Sequence, residues 1–242
     1  MRGELTAMRN AIFLLLLAVF VSGCAVARSP GPFDSTVRPP DALSTKTILV
    51  MPLDVELSRL QASGLREPQA QWTTDAKGHI TGALDDYLSG VGVKLVSHGE
   101  ELGQLSENRL QLLKLHEAVG KAILLHKASQ GAQFALPTKE DRFDWTLGPT
   151  VSELRDAYDA DYALFVFVRD SYSTGGRVAA QILMAVLFGA NLQGGSTASF
   201  ASLVDLRTGD LAWLNVVGGA YDLRERGTTE GFVEDLFEEL PR

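Results

Sequence analysis

Cysteine is almost missing from this sequence: Cys24 is the only one in 242 residues. A lone thiol cannot close a disulfide within the chain or build a zinc site from several thiolates. Long hydrophobic runs are missing too. The unbroken apolar run at residues 11–21 is eleven residues long, roughly 16 Å as a helix against a hydrocarbon core of ~30 Å. Positive charge is scarce and scattered, with 22 Lys and Arg against 30 Asp and Glu and a formal net charge of -8. Without a basic run or interleaved aromatics there is nothing to hold a phosphate backbone, which excludes nucleic acid as a partner class. The same acidity opposes adhesion to anionic lipid, so any membrane attachment has to come from acyl chains.

The sequence does contain ample core material: 45% of its residues are hydrophobic and 21% charged, the balance of a folded globular chain. It opens with a three-part export signal. Arg2 and Arg9 lie in a polar start, and Ala11-Ile12-Phe13-Leu14-Leu15-Leu16-Leu17-Ala18-Val19-Phe20-Val21 forms the apolar centre. Val21-Ser22-Gly23-Cys24 ends it. An aliphatic residue, two small residues and a cysteine resemble the lipobox of bacterial lipoproteins. That resemblance implies a diacylglycerol on the Cys24 thiol, cleavage after residue 23 and fatty acylation of the new amino terminus. Two or three chains, at ~0.8 kcal/mol per buried CH₂, anchor stably where one is marginal. By resemblance to enteric lipoproteins, Ala25 in place of Asp after the cysteine implies the outer membrane, periplasm-facing, over the inner membrane. Loss of residues 1–23 removes two arginines and one glutamate, which takes the charge from -8 to -9.

Residues 24–46 hold Pro30, Pro32, Pro39 and Pro40 among Gly, Ser and Thr, the composition of a flexible tether. Residues 47–242 are expected to form one domain. Thr47 to Val55 reads as a buried strand with Pro52 near its end. Residues 72–90 read as a helix through Ile80, Leu84, Tyr87 and Leu88, with Gly90 as its stop. Val91 to Ser97 is a short strand candidate. Ser106 to about Ser129 predicts the longest helix, with Ser106 as N-cap and a core stripe of Leu110, Leu113, Val119, Ile123 and Leu124. Irregular chain at 131–149 leads to a short helix near Val151 to Tyr158 and a strand at Tyr162 to Val168. Strands at Ser196–Asp205 and Asp210–Val217 flank the turn Arg207-Thr208-Gly209-Asp210, and a helix over 229–240 closes the chain. This order predicts an α+β domain, with helices on a mixed, largely antiparallel sheet; a three-layer α/β/α form is the alternative.

Three stretches carry a further resemblance: Ile48-Leu49-Val50-Met51-Pro52-Leu53, Ala160-Asp161-Tyr162 with the strand after it, and Asp205-Leu206-Arg207-Thr208-Gly209 with Trp213. Together they resemble the periplasmic domain of curli-secretion-channel lipoproteins, of peptidoglycan-synthase activators, and of the Tol propeller protein's amino-terminal part. The resemblance covers about a third of the chain, implies a fold and an envelope setting, and carries over no catalytic residue. The insertion at 98–149 is longer than in that pattern.

Signals for chemistry are weak. The histidines are His79, His98, His116 and His126. His116-Glu117 begins like a zinc-protease motif, but the second histidine due four residues on is Gly120. His126 lies about 80° round the helix and ~15 Å along it, too far to share a metal, so His116 reads as a helix-surface residue. Asp156, Asp159 and Asp161 crowd together without the alternating ligands and central glycine of a calcium loop. Gly-x-Ser-x-Gly is not found, and Gly175-Gly176 and Gly194-Gly195 lack the Lys-Ser/Thr of a phosphate loop. No catalytic residue, cofactor or metal is therefore assigned.

From Val178 to Leu192 the chain is apolar nearly all round, too short for a membrane crossing and lacking the alternation of a barrel strand. It reads either as buried core or as an exposed contact. Three functional readings follow. The first is a non-catalytic envelope lipoprotein that binds another envelope component or supports assembly. The second is an oligomeric export or secretion subunit using 178–192. The third is a cell-envelope hydrolase.

Overall fold

The computed structural model describes residues 43–61, 63–97, 106–128, 136–139, 142–173, 198–218, 221–238 and 240. Its centre is β5 (Tyr162–Ser173), whose first seven residues are all buried. Side chains alternate across it: Tyr162, Leu164, Val166 and Val168 enter one core, and Ala163, Phe165 and Phe167 enter the other. A strand covered on both faces has no polar side to show, which is why this run is apolar throughout.

One edge of β5 is lined by two strands in succession. β1 (Thr47–Val50) runs parallel to Tyr162–Leu164, and β2 (Asp54–Leu60) runs parallel to Phe167–Ser173. From Val50 to Asp54 the chain takes four steps while its partner goes from Leu164 to Phe167 in three. The extra residue makes a bulge at Met51–Leu53. Pro52, with no N–H to give, fits such an interruption, and the Met51 N–H still reaches the Leu164 carbonyl at 3.0 Å. The strand predicted over 47–55 is thus two strands. β3 (Arg66–Pro68) pairs antiparallel with β2, and β4 (Lys94–Ser97) pairs parallel with β1.

On the other edge of β5, β6 (Ala198–Asp205) and β7 (Leu211–Val217) add antiparallel strands. The sheet is mixed, as the α+β expectation requires. Its antiparallel part is β5-β6-β7 with the β2-β3 hairpin, while β1, β2, β4 and β5 run parallel.

Two helical layers enclose the sheet. α1 (Ala70–Val91) and α4 (Arg226–Leu236) pack on the face of Leu164 and Trp213. α2 (Glu107–Ala128) and α3 (Ser152–Tyr158) pack on the face of Phe165 and Phe200. The three-layer arrangement is the one observed. α1 ends at Gly92, whose φ of 75° is left-handed and suits glycine. α4 starts three residues before its expected position and stops at Leu236.

The core stripe of α2 differs from expectation at one end. Leu113 and Ile123 are buried, but Leu110 is exposed, and the buried stripe instead takes in Leu112, His116 and Gly120.

Candidate functional site

Cys24, residues 1–23, the tether up to residue 42, His98 and the whole of 178–192 lie outside the described residues. What the structure gives is the chemistry of the folded body, and one cluster of buried and paired polar side chains lies where α2 crosses the sheet.

At the centre of that crossing His116 is buried, so its reading as a helix-surface residue is corrected. It lies four residues before Gly120 and three after Leu113, on the stripe that α2 turns to the sheet. Its Nε2 is 2.7 Å from Ser202 Oγ on β6, its ring stacks on Phe165 at 4.8 Å, and Phe200 lies 5.2 Å away. Burial pushes the imidazole down to about 3, against an opposing pull from Glu117, so it is neutral at ordinary pH.

A serine hydroxyl against an imidazole has the outline of a nucleophile–base pair. Here both members are sealed, with Ser202 at 0% exposure and His116 at 2%. A base that weak takes up no proton near neutrality. In this geometry the pair satisfies two buried polar groups within an aromatic layer.

Gly120 shows why no zinc ligand stands where the motif would need one. A Cβ there would come within 2.1 Å of the Phe200 ring. The position belongs to helix-on-sheet packing.

An ionic rim borders this core. Arg169 donates to Asp54 Oδ1 at 2.7 Å and to the Asp54 carbonyl at 2.9 Å, and its guanidinium lies over Phe167 at 4.2 Å. Glu117 accepts from Lys121 at 2.6 Å and Lys114 at 3.2 Å, and Lys114 also comes within 3.8 Å of Asp54. Burial pushes the Glu117 carboxyl up, but the two lysines outweigh it and hold the group below the usual carboxylate range. Every charge in this rim faces an opposite one, an arrangement that fixes α2 on the sheet.

His79, His126, Asp159 and Asp161 serve the backbone. His126 accepts the Leu136 N–H on Nδ1 at 2.9 Å and faces the Lys139 carbonyl with Nε2 at 3.3 Å. Both contacts suit a neutral ring with its proton on Nε2. His79 Nδ1 faces the Leu223 carbonyl at 3.2 Å.

Asp161 Oδ2 accepts the Thr47 N–H at 3.0 Å, while its own N–H donates to the Thr47 carbonyl at 2.9 Å. It thereby registers β1 against β5. Asp159 caps α3 at a φ of 48°, and Asp156 is exposed on that helix. Among the described residues, no three His, Cys, Asp or Glu side chains gather to hold a metal, and no helix is long and apolar enough to cross a membrane.

Sequence reasoning missed a second cluster, on the opposite face. Arg224 lies over Trp72 at 4.9 Å and over Tyr172 at 4.1 Å, and it pairs with Asp222 through Nε at 2.7 Å. Arg59 lies over the Trp72 ring at 5.4 Å. The Tyr172 oxygen accepts the Leu223 N–H at 2.8 Å, and burial, reinforced by Asp170, pushes that hydroxyl up. These contacts tie the segment before α4 to α1 and β5. The members are spread from residue 59 to residue 224, so no local motif could reveal them.

No family model and no curated protein matches the chain. Solved structures that overlap it loosely include these two. One is the lipoprotein GNA1162 from Neisseria meningitidis, at 13% identity over 81% of this chain and 97% of that one, with a TM-score of 0.32. The other is the LpoB C-terminal domain from Salmonella enterica, at 14% identity over 76% of this chain and 85% of that one, with a TM-score of 0.26. Overlaps this loose establish neither a common family nor a common activity.

Proposed function

We propose that this chain is a bacterial envelope lipoprotein, held to the periplasmic side of the outer membrane by lipid on Cys24, whose α+β domain is a non-catalytic binding or assembly module. The observation that carries the proposal is the sequence Val21-Ser22-Gly23-Cys24 at the end of an eleven-residue apolar run, followed by a proline-rich spacer. The spacer lets an acidic body stand off the bilayer while acyl chains supply the attachment. Support for a non-catalytic role comes from how the polar groups are used. The His116–Ser202 pair is closed to solvent, and the α2 rim balances its own charges.

Cross-linking in membranes of the parent bacterium, followed by detergent extraction, tests the reading. The wild-type chain is expected to carry a cross-linked envelope component that Cys24→Ser, displaced from the membrane surface, carries much less of. A chain that captures no component yet cleaves isolated cell wall or phospholipid would replace this reading with the hydrolase one.

A further inference from the structure

Little apolar contact holds the turn that follows α2. Its three residues, Pro137–Lys139, are none of them buried, and Leu136 in front of them is 42% exposed. A segment with so few buried contacts belongs to the low-stability end of a fold. Its tie to α2 is polar, and it runs through one imidazole.

His126 stands in the last turn of α2 and is buried. Its Nδ1 accepts the Leu136 N–H at 2.9 Å, and its Nε2 faces the Lys139 carbonyl at 3.3 Å. One ring nitrogen must accept while the other donates, so a single neutral imidazole grasps both ends of the turn. A proton added at Nδ1 removes the acceptor and sets one N–H against another. The Leu136 donor then faces a cation in place of a lone pair, a costly arrangement in a buried contact.

The charged groups around this corner are Lys139, Asp144 and Arg142. The Lys139 ammonium lies over the Trp145 ring at 5.1 Å and donates to Asp144 at 2.7 Å. The His126 ring is 6.3 Å from the same Trp145 ring, so a second cation would share that aromatic neighbour with the first. Asp144, the carboxylate of the corner, is engaged by Lys139 and also feels Arg142. One turn back on α2, Ala122 and Ile123 bring no charge.

Opening is eased from the other side. Trp145 is 9% exposed, and its indole N–H is buried with no hydrogen-bond partner. Water admitted as the turn leaves gives that donor an acceptor.

We propose that His126 is an acid-operated catch: the neutral ring clamps Leu136–Lys139 on the end of α2, and the protonated ring lets the turn go and uncovers Trp145. The attachment is present near neutrality and is lost as the pH falls through the range in which histidine changes charge. The release is local, whereas the acid sensitivity of His116 acts on the whole domain.

Hydrogen exchange on the full chain in detergent, read by mass spectrometry and corrected for the intrinsic pH dependence, tests this. Between pH 7.5 and pH 5.0 the Leu136 amide of the wild type is expected to lose protection at least tenfold, while the β5 amides at Phe165 and Phe167 keep theirs. His126→Gln can accept and donate but takes up no proton, so it should hold the turn equally at both pH values. If the glutamine chain does not fold, NMR of wild type labelled with ring-¹⁵N histidine decides the matter. The His126 Nδ1 signal must then change with the same midpoint as the Leu136 protection.

Leu136 protection that ignores pH overturns the proposal. So does a fall of equal size in His126→Gln, or one shared by the β5 amides, which marks unfolding of the whole domain. Midpoints for ring and turn that do not coincide overturn it as well.

Discussion

Acidification should weaken this fold through a single imidazole. Burial holds His116 at about 3 in the folded chain, against an ordinary imidazole value of 6.5. Between those values the unfolded chain binds a proton that the folded chain refuses. The contribution of His116 to stability is therefore complete above about pH 6.5 and is lost as the pH falls toward 3. At pH 4.5 the unfolded histidine is about a hundredfold biased toward its protonated form while the folded one is nearly all neutral. That difference is worth about 3 kcal/mol, a large share of the 5–15 kcal/mol that typically holds a domain together.

The assay is urea unfolding at several pH values between 7.5 and 4.5, on wild type and on His116→Gln. Glutamine cannot take up the proton but can still meet Ser202. Glu117 and Asp222, whose carboxyls are held below their ordinary values by Lys121 and Lys114 and by Arg224, lose their contributions at lower pH in both proteins. Their effect largely cancels in the comparison. Wild type is expected to lose about 3 kcal/mol more than the variant across this window. Parallel curves for the two proteins would refute the reasoning.

Other substitutions probe the packing by thermal and urea unfolding. Gly120→Ala should destabilise by about 1–3 kcal/mol, because the new methyl meets the Phe200 ring. Gly231→Ala on α4, where the space is open, should stabilise by about 0.5–1 kcal/mol; equal effects at the two glycines would contradict the α2–sheet contact. Gly209→Ala faces both a φ of +84° and the Gly148 carbonyl at 2.2 Å, so a loss of about 2 kcal/mol or more is expected. Arg169→Met leaves the nearly buried Asp54 carboxylate short of its main partner and should cost about 3 kcal/mol. Adding Asp54→Asn should recover much of that loss, and a strictly additive double variant would show that the pair does not interact.

Much of the fold was legible because its elements obey local rules. Tyr162 to Val168 is apolar at every position, which marks a strand covered on both faces, and β5 is that strand. Asp205 and Gly209 spell a hairpin turn. Asp205 Oδ1 accepts the Arg207 N–H at 2.7 Å, and the Gly209 N–H reaches the Asp205 carbonyl at 2.8 Å. The continuation through Asp54–Leu60 was missed because Pro52 reads as an end, and because Asp54, Glu56 and Ser58 are polar on the side where an ionic rim replaces the core. His116 was misplaced because periodicity counts histidine as polar. Its spacing from Leu112, Leu113 and Gly120 puts it on the buried stripe all the same. The Trp72–Arg224–Tyr172 cluster is set by the way distant segments meet, and that information belongs to the tertiary structure.

The most direct test of the whole account is the mass of the amino-terminal tryptic peptide from protein extracted from membranes. The expected peptide runs from Cys24 to Arg28 and carries a thioether-linked diacylglycerol and an amide-linked fatty acid. A peptide that starts elsewhere, or one that holds Cys24 as a free thiol, would contradict the account.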